Sequence, residues 1–282
     1  MYRNCIVKEV KVIEMIVEKN KKDWNAYAER YDRFHHDEKF IRPLMADPSR
    51  AFHQKIWEML QRYMPSMEGK KICVPSSGDN MAVFAFALMG AQVTSCDISE
   101  NQLMYAKRVA EKEGLADRID FICADTMKLT EIEDTSYDLV YTSNGVHVWL
   151  DDLPSMYQNI YRILKPEGIS MMFEIHPFLR PFGDNLQIKK PYDWTGPFED
   201  ETTVNFHWRM QDIVNAILDS GIRLLHMEEM FAEKDYEQPF FVMHEDMVNG
   251  AKPSKEEVDK MYDWRHNPEM ALPNWLCLVS KK

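Results

Sequence analysis

Between residues 70 and 175 the chain alternates short apolar runs with helix-length amphipathic stretches, and this constrains its fold more than any other feature. Apolar runs fall at 72–74, 92–96, 119–123, 137–141 and 169–175. Helical patterns occupy 81–89, closed by Gly90, and 100–113, capped by Ser99 and stopped by Gly114. A third covers 153–164 and ends at Lys165-Pro166-Glu167-Gly168. Strands separated by helices require crossover connections, which build a parallel sheet wound on both faces.

The flanks extend this frame. Residues 6–34 carry a helical stripe of Ile6, Val10, Ile13, Ile16 and Val17, continued by Trp24, Tyr27 and Tyr31. A further amphipathic helix is expected over 51–63. After residue 176 the alternation lapses into a Pro- and aromatic-rich excursion, 177–206. A helix over 208–220, a strand at 222–228, a second excursion over 232–272 and a last strand at 275–279 complete the chain. With no crossover helix between those last two strands, the final one is read as antiparallel.

Composition narrows the function. Thirty-four Lys and Arg against 46 Asp and Glu give a net charge of −12, which argues against a phosphate-backbone partner. No uncharged apolar run is long enough to span a membrane, and the start has no signal-peptide pattern. Five cysteines without CxxC spacing read as reduced thiols, so a cytoplasmic setting is expected. His35-His36-Asp37 lacks supporting ligand spacing and is read as a solvated helix end, so no metal site is expected.

In an open parallel sheet, ligands bind beyond the carboxyl ends of the strands. That rule selects the loops at 75–80, 97–99, 124–127 and 142–149. The first turns through Ser76 and Gly78 into a helix start, with Asn80 tolerant of a left-handed conformation. Asp97 lies 19 residues after Gly78 (97 − 78), a spacing suited to a ribose diol. Asp125 could take an exocyclic amine of adenine. The dinucleotide fingerprint fails, because Ser76-x-Gly78-x-x-Met81 keeps only its middle glycine; NAD is therefore the weaker choice.

In this order and spacing the segments Gly90-Ala91-Gln92-Val93-Thr94-Ser95-Cys96-Asp97-Ile98-Ser99, Cys123-Ala124-Asp125-Thr126-Met127, Tyr137-Asp138-Leu139-Val140 and Tyr161-Arg162-Ile163-Leu164-Lys165-Pro166-Glu167-Gly168 carry a resemblance. Over residues 24–279 the chain resembles class I S-adenosylmethionine-dependent methyltransferases of the ubiquinone/menaquinone-biosynthesis type. The resemblance implies an α/β fold: a Rossmann-like, doubly wound, seven-stranded sheet, mostly parallel with an antiparallel last strand, plus an N-terminal helical cap. It implies a helical lid over 1–48 and a methyltransferase domain over 49–282, whose insertions at 177–206 and 232–272 cover the substrate. The implied cofactor is S-adenosyl-L-methionine, held by Ser76, Gly78 and Asn80, by Asp97 with Ile98, and by Asp125 with Thr126. Ser143 would lie near the methyl group, and Tyr27 and Tyr31 would close over the cofactor beside Trp24.

The implied reaction is methyl transfer to a small, aromatic or apolar acceptor, with no nucleic-acid or membrane partner and a homodimer as one assembly. His147 is the candidate general base, with His176, His207, His244 and Glu174 behind it. Phe178, Phe182, Tyr192, Trp194, Phe206 and Trp208 either line an acceptor pocket or pack, and Arg180 or Arg209 could meet an acidic group. The family's first loop usually has an acid within the strand and three glycines; here Val74, Ser76, Gly78 and Asn80 stand instead, leaving Asp79 as a substitute acid. The alternatives are an adenosine-ligand-binding module without turnover and an NAD-linked oxidoreductase.

Overall fold

A computed structural model describes residues 2–183, 186–234, 236 and 254–282, with side chains from Met15 onward. The strands are β1 (Lys71–Pro75), β2 (Gln92–Asp97), β3 (Ile119–Cys123), β4 (Tyr137–Ser143), β5 (Leu164–Ile175), β6 (Phe198–Glu199), β7 (Val204–Asn205), β8 (Arg223–Met230) and β9 (Trp275–Lys281). The helices are α1 (Tyr2–His35), α2 (Glu38–Ala46), α3 (Gln54–Tyr63), α4 (Met81–Leu88), α5 (Glu100–Lys112), α6 (Leu153–Ile163), α7 (Met210–Asp219) and α8 (Lys255–Met261).

Seven strands form one sheet in the order β3-β2-β1-β4-β5-β9-β8. β1 to β5 pair in parallel, whereas β9 runs antiparallel to both β5 and β8. The antiparallel strand is thus last in sequence but inserted between β5 and β8. Its position follows from residues 275–279, an unbroken apolar run suited to burial on both faces. β6 and β7 form a separate hairpin inside the first excursion.

Two apolar layers flank the sheet. One joins α3 and α4 to it through Ile56, Leu60, Phe84 and Phe86, and Leu44 of α2 belongs to the same layer. The other joins α6 and α7 through Met156, Ile160, Ile213 and Ile217. Cys73, Cys96 and Cys277 lie within these layers as free thiols, whereas Cys123 is exposed.

Three local expectations change. The helix expected at 51–63 starts at Gln54, because Pro48–Ala51 forms a 3₁₀ turn and His53 caps the helix behind it. The turn expected at 165–168 lies inside β5: Leu164 pairs with Tyr137 before the register shifts to Leu139 and Ile169. The supposed solvated end at His35-His36-Asp37 is packed instead. His36 bonds Asp32 at 2.8 Å with its side chain 2% exposed, His35 bonds Asp79, and Asp37 caps α2. In the second excursion α8 and a turn at Pro268–Ala271 are seen, while much of 235–253, including His244, lies outside the described residues.

Candidate cofactor cleft

The loops after β1, β2, β3 and β4 meet at the carboxyl end of the sheet and wall a single cleft, covered by α1. Its lining includes Ser76, Gly78, Asp79, Asn80, Asp97, Ile98, Asp125, Thr126 and Ser143, contributed by all four loops.

The loop after β1 turns twice through left-handed backbone, at Ser76 (φ +49°) and Gly78 (φ +50°). Ser76 thus adopts a conformation that glycine would take freely, at a cost of about 1 kcal/mol. A 2.7 Å bond between its hydroxyl and that of Thr126 helps hold it there. Asn80 needs no such freedom. Its φ is −63°, and it caps α4 by accepting from Ala82 N–H at 2.9 Å while its amide donates to Ser143 Oγ at 2.7 Å. The expectation of a left-handed Asn80 is therefore corrected: capping, not turn geometry, is its local role. Val74, where the family usually has an acid, is fully buried in the apolar core.

Asp97 closes β2 and is 8% exposed. Gly78 N–H donates to Oδ2 at 2.7 Å and Ser99 N–H to Oδ1 at 2.8 Å, so the carboxylate joins two loops. Burial pushes its pKa up to about 6, against the pull of those N–H groups. Asp125 accepts from Met127 N–H at 2.9 Å through Oδ1. Its Oδ2 is buried and has no hydrogen bond, although Lys128 lies 3.3 Å away. Burial raises the Asp79 carboxyl, but His35 and then His36 outweigh it and leave the pKa lowered.

Helix α1 contributes Val17, Asn20 and Trp24 to the cleft. Several side chains attach it to the rest of the chain. The buried Asn20 amide donates to Val204 C=O and accepts from Val204 N–H, both at 2.8 Å. Asn25 Oδ1 accepts from Ser99 Oγ at 2.7 Å and Asn101 N–H at 3.1 Å. His35 then reaches Asp79. Tyr27 is 40% exposed and, like Tyr31, lies outside the lining. Tyr31 instead packs against Trp24 and His35, both with centroids at 5.5 Å. Asn20 is one lining residue that the sequence reading did not select; a lone amide on an apolar helical stripe marks the position but not its partner.

The wall after β4 is set by a buried acid. Asn144 (φ +65°) and Gly145 (φ +91°) turn successive N–H groups inward. Glu174 Oε1 accepts from Gly145 at 2.8 Å and Val146 at 2.5 Å. Burial drives Glu174 up to about 7, against Arg180 and these donors.

The candidate bases fare differently. His147 is 3% exposed, outside the lining, and bonded to Tyr157 OH at 2.9 Å. Burial and the charge of Arg180 depress its pKa to about 3. The general-base assignment for His147 is corrected, because the ring sits behind the wall. His176 has both nitrogens engaged, by Glu229 Oε1 at 2.8 Å and Phe178 N–H at 3.2 Å.

Among the described residues the lining holds three carboxylates (Asp79, Asp97 and Asp125) and no Lys, Arg or His. Such a wall suits a ligand with positive groups and opposes a pyrophosphate. An S-adenosylmethionine ligand fits it: Asp125 Oδ2, with an ion pair to Lys128 but no hydrogen bond, keeps acceptor capacity for an amine, and Asp97 retains lone pairs for a diol.

Comparison with known proteins agrees. Residues 75–172 match a methyltransferase domain family model. A tRNA 5-carboxymethoxyuridine methyltransferase of Escherichia coli O157:H7 is 30% identical over 214 residues, covering 70% of this chain and 82% of that protein. A sterol 24-C-methyltransferase of Gibberella zeae is 32% identical over 152 residues, 54% of this chain, which spans only 39% of that longer protein. A crystal structure of an S-adenosylmethionine dependent methyltransferase from Mesorhizobium loti shares the fold, with a TM-score of 0.60 at 21% identity over 80% of this chain and 97% of that one. Sheet order, cleft and relatives converge: the chain belongs to the class I S-adenosylmethionine-dependent methyltransferases.

Proposed function

We propose that the chain transfers a methyl group from S-adenosylmethionine to a small acceptor entering beside the 177–206 excursion. One observation carries the reading: at the carboxyl ends of four strands lies a cleft whose lining, among the described residues, holds three acids and no cation. Asp97 would hold the ribose, Asp125 with Thr126 and Ile98 the adenine, and Ser76, Gly78, Asn80 and Ser143 the amino-acid end. S-adenosylmethionine supplies a methyl group that is already activated. What remains for the protein is alignment of the acceptor and exclusion of water. Trp24 and Trp149, in edge-to-face contact at 5.1 Å, and the attached α1 serve that exclusion.

The exposed rings Phe178, Tyr192 and Trp194 favour an acceptor with an aromatic or apolar body. Relatives act on tRNA, sterols and malonyl-[acyl-carrier protein] by name, so the size of the acceptor needs its own test.

Calorimetry with S-adenosylhomocysteine and NAD tests the cleft: the first is expected to bind and the second not. No binding of the sulfur ligand would overturn the reading. Cell extract incubated with a methyl-labelled donor is expected to yield label in the small-molecule fraction. Label confined to RNA or protein would refute a small acceptor.

A pH dependence follows from Asp97. A diol donates to the ionised carboxylate, and in the free protein that carboxyl titrates at about 6. Binding then expels a proton below that pH, so affinity is lost as pH falls. S-adenosylhomocysteine affinity is expected to be level above about pH 7 and to drop roughly tenfold per unit below about 6. Asp97→Asn should remove the slope. Calorimetry across that window checks both.

A further inference from the structure

The loop after β5 carries a cation whose role the cleft does not explain. His176 caps the turn Pro177–Leu179, which delivers Arg180 at the carboxyl end of the sheet. The other part-buried arginines among the described residues are engaged. Arg162 donates to Ile132 and Leu129 carbonyls and to Asp134, Arg118 to Gly90 C=O, and Arg209 to both oxygens of Asp212. That last pair removes Arg209 from the acceptor candidates. Arg180 differs: it is part-buried, and among the described residues its side chain has neither a hydrogen bond nor an ion pair.

Its surroundings are basic. Burial lowers the Arg180 pKa, opposed only by Glu174, whose Oε1 is already committed to Gly145 and Val146. The charge of Arg180 in turn disfavours protonation of His207 and Lys190, and a bond from Lys189 N–H to Pro181 C=O, 2.8 Å, sets Lys190 beside the turn that carries Arg180. The His207 ring lies 4.6 Å from that of Phe198, and the Lys190 ammonium stands 4.7 Å over the same ring. His207 Nδ1 is buried with no partner. A bond from Phe206 N–H to Val148 C=O, 2.8 Å, ties this stretch to the loop after β4. In a chain of net charge −12, a part-buried guanidinium with no partner among the described residues is a place where an anion would be stabilised.

We propose that Arg180, with Lys190 and His207 beside it, receives an oxyanionic group of the methyl acceptor, a carboxylate or a phosphate. The planar guanidinium matches the two oxygens of such a group. This rests on the acceptor-side reading above and narrows it: an apolar body would meet the exposed rings while its anion reaches Arg180.

The test uses the whole chain saturated with S-adenosylhomocysteine, titrated with benzoate, phenyl phosphate and uncharged benzamide. One anion is expected to bind at least about tenfold more tightly than benzamide. Whichever of the two binds more tightly identifies the group. Arg180→Met should abolish that preference while leaving S-adenosylhomocysteine affinity unchanged. Arg180→Lys, which keeps the charge without the fork, should retain part of it and serves if the Met variant does not fold. Equal binding of benzamide, failure of both anions to bind, or an undiminished preference in Arg180→Met overturns the proposal. Loss of S-adenosylhomocysteine binding by the unmodified chain would instead refute the cofactor reading, so the two failures are distinct.

Discussion

Asp97→Ala is expected to weaken S-adenosylhomocysteine binding by about 1–3 kcal/mol, roughly five- to 150-fold. The carboxylate already accepts one N–H on each oxygen, from Gly78 and Ser99, and a second lone pair on each remains for a diol. Alanine removes those acceptors and leaves two N–H groups without a partner at the base of the cleft. The effect therefore exceeds the loss of one ligand contact, because the turn after β1 loses the group that positions it. Calorimetry on the variant, with a circular dichroism spectrum to establish folding, reads the result. A folded variant with the original affinity would contradict the ribose assignment.

Glu174→Ala is expected to destabilise the protein by about 3 kcal/mol, whereas Glu174→Gln should cost under about 1. Glu174 is 2% exposed and satisfies two successive backbone donors where the chain passes through left-handed conformations at Asn144 and Gly145. Glutamine keeps an oxygen for those donors; alanine leaves both buried and unpaired. Urea unfolding of the two variants separates the cases. Equal losses would mean that packing, not the hydrogen bonds, holds the wall after β4.

The parallel part of the sheet is legible because its strands are short apolar runs closed by polar turns, and both Asp97 and Asp125 stand where such runs end. Residues whose role depends on a partner far along the chain are harder to read. Asn20 meets Val204, 184 residues away, and nothing near either one announces the pairing. Glu174 sits within an apolar strand and looks like an edge residue until the donors of Gly145 and Val146 are seen beneath it. His147 has the residue type and loop of a base, yet its ring is turned inward against Tyr157, which no local pattern encodes. The stripe along α1 is continuous, so spacing alone cannot say that the cleft meets Val17, Asn20 and Trp24 and not the tyrosines farther along. The glycine-poor loop is explained by backbone angles: Ser76 tolerates the turn, and Asn80 does not need it.

The grip of Asn20 on both backbone groups of Val204 has a kinetic consequence. Helix α1 covers the cleft and the β6–β7 hairpin lies within the 177–206 excursion, so raising either strands two buried polar groups unless both move. Opening of the cleft is then coupled to displacement of the hairpin, and neither is expected to move alone.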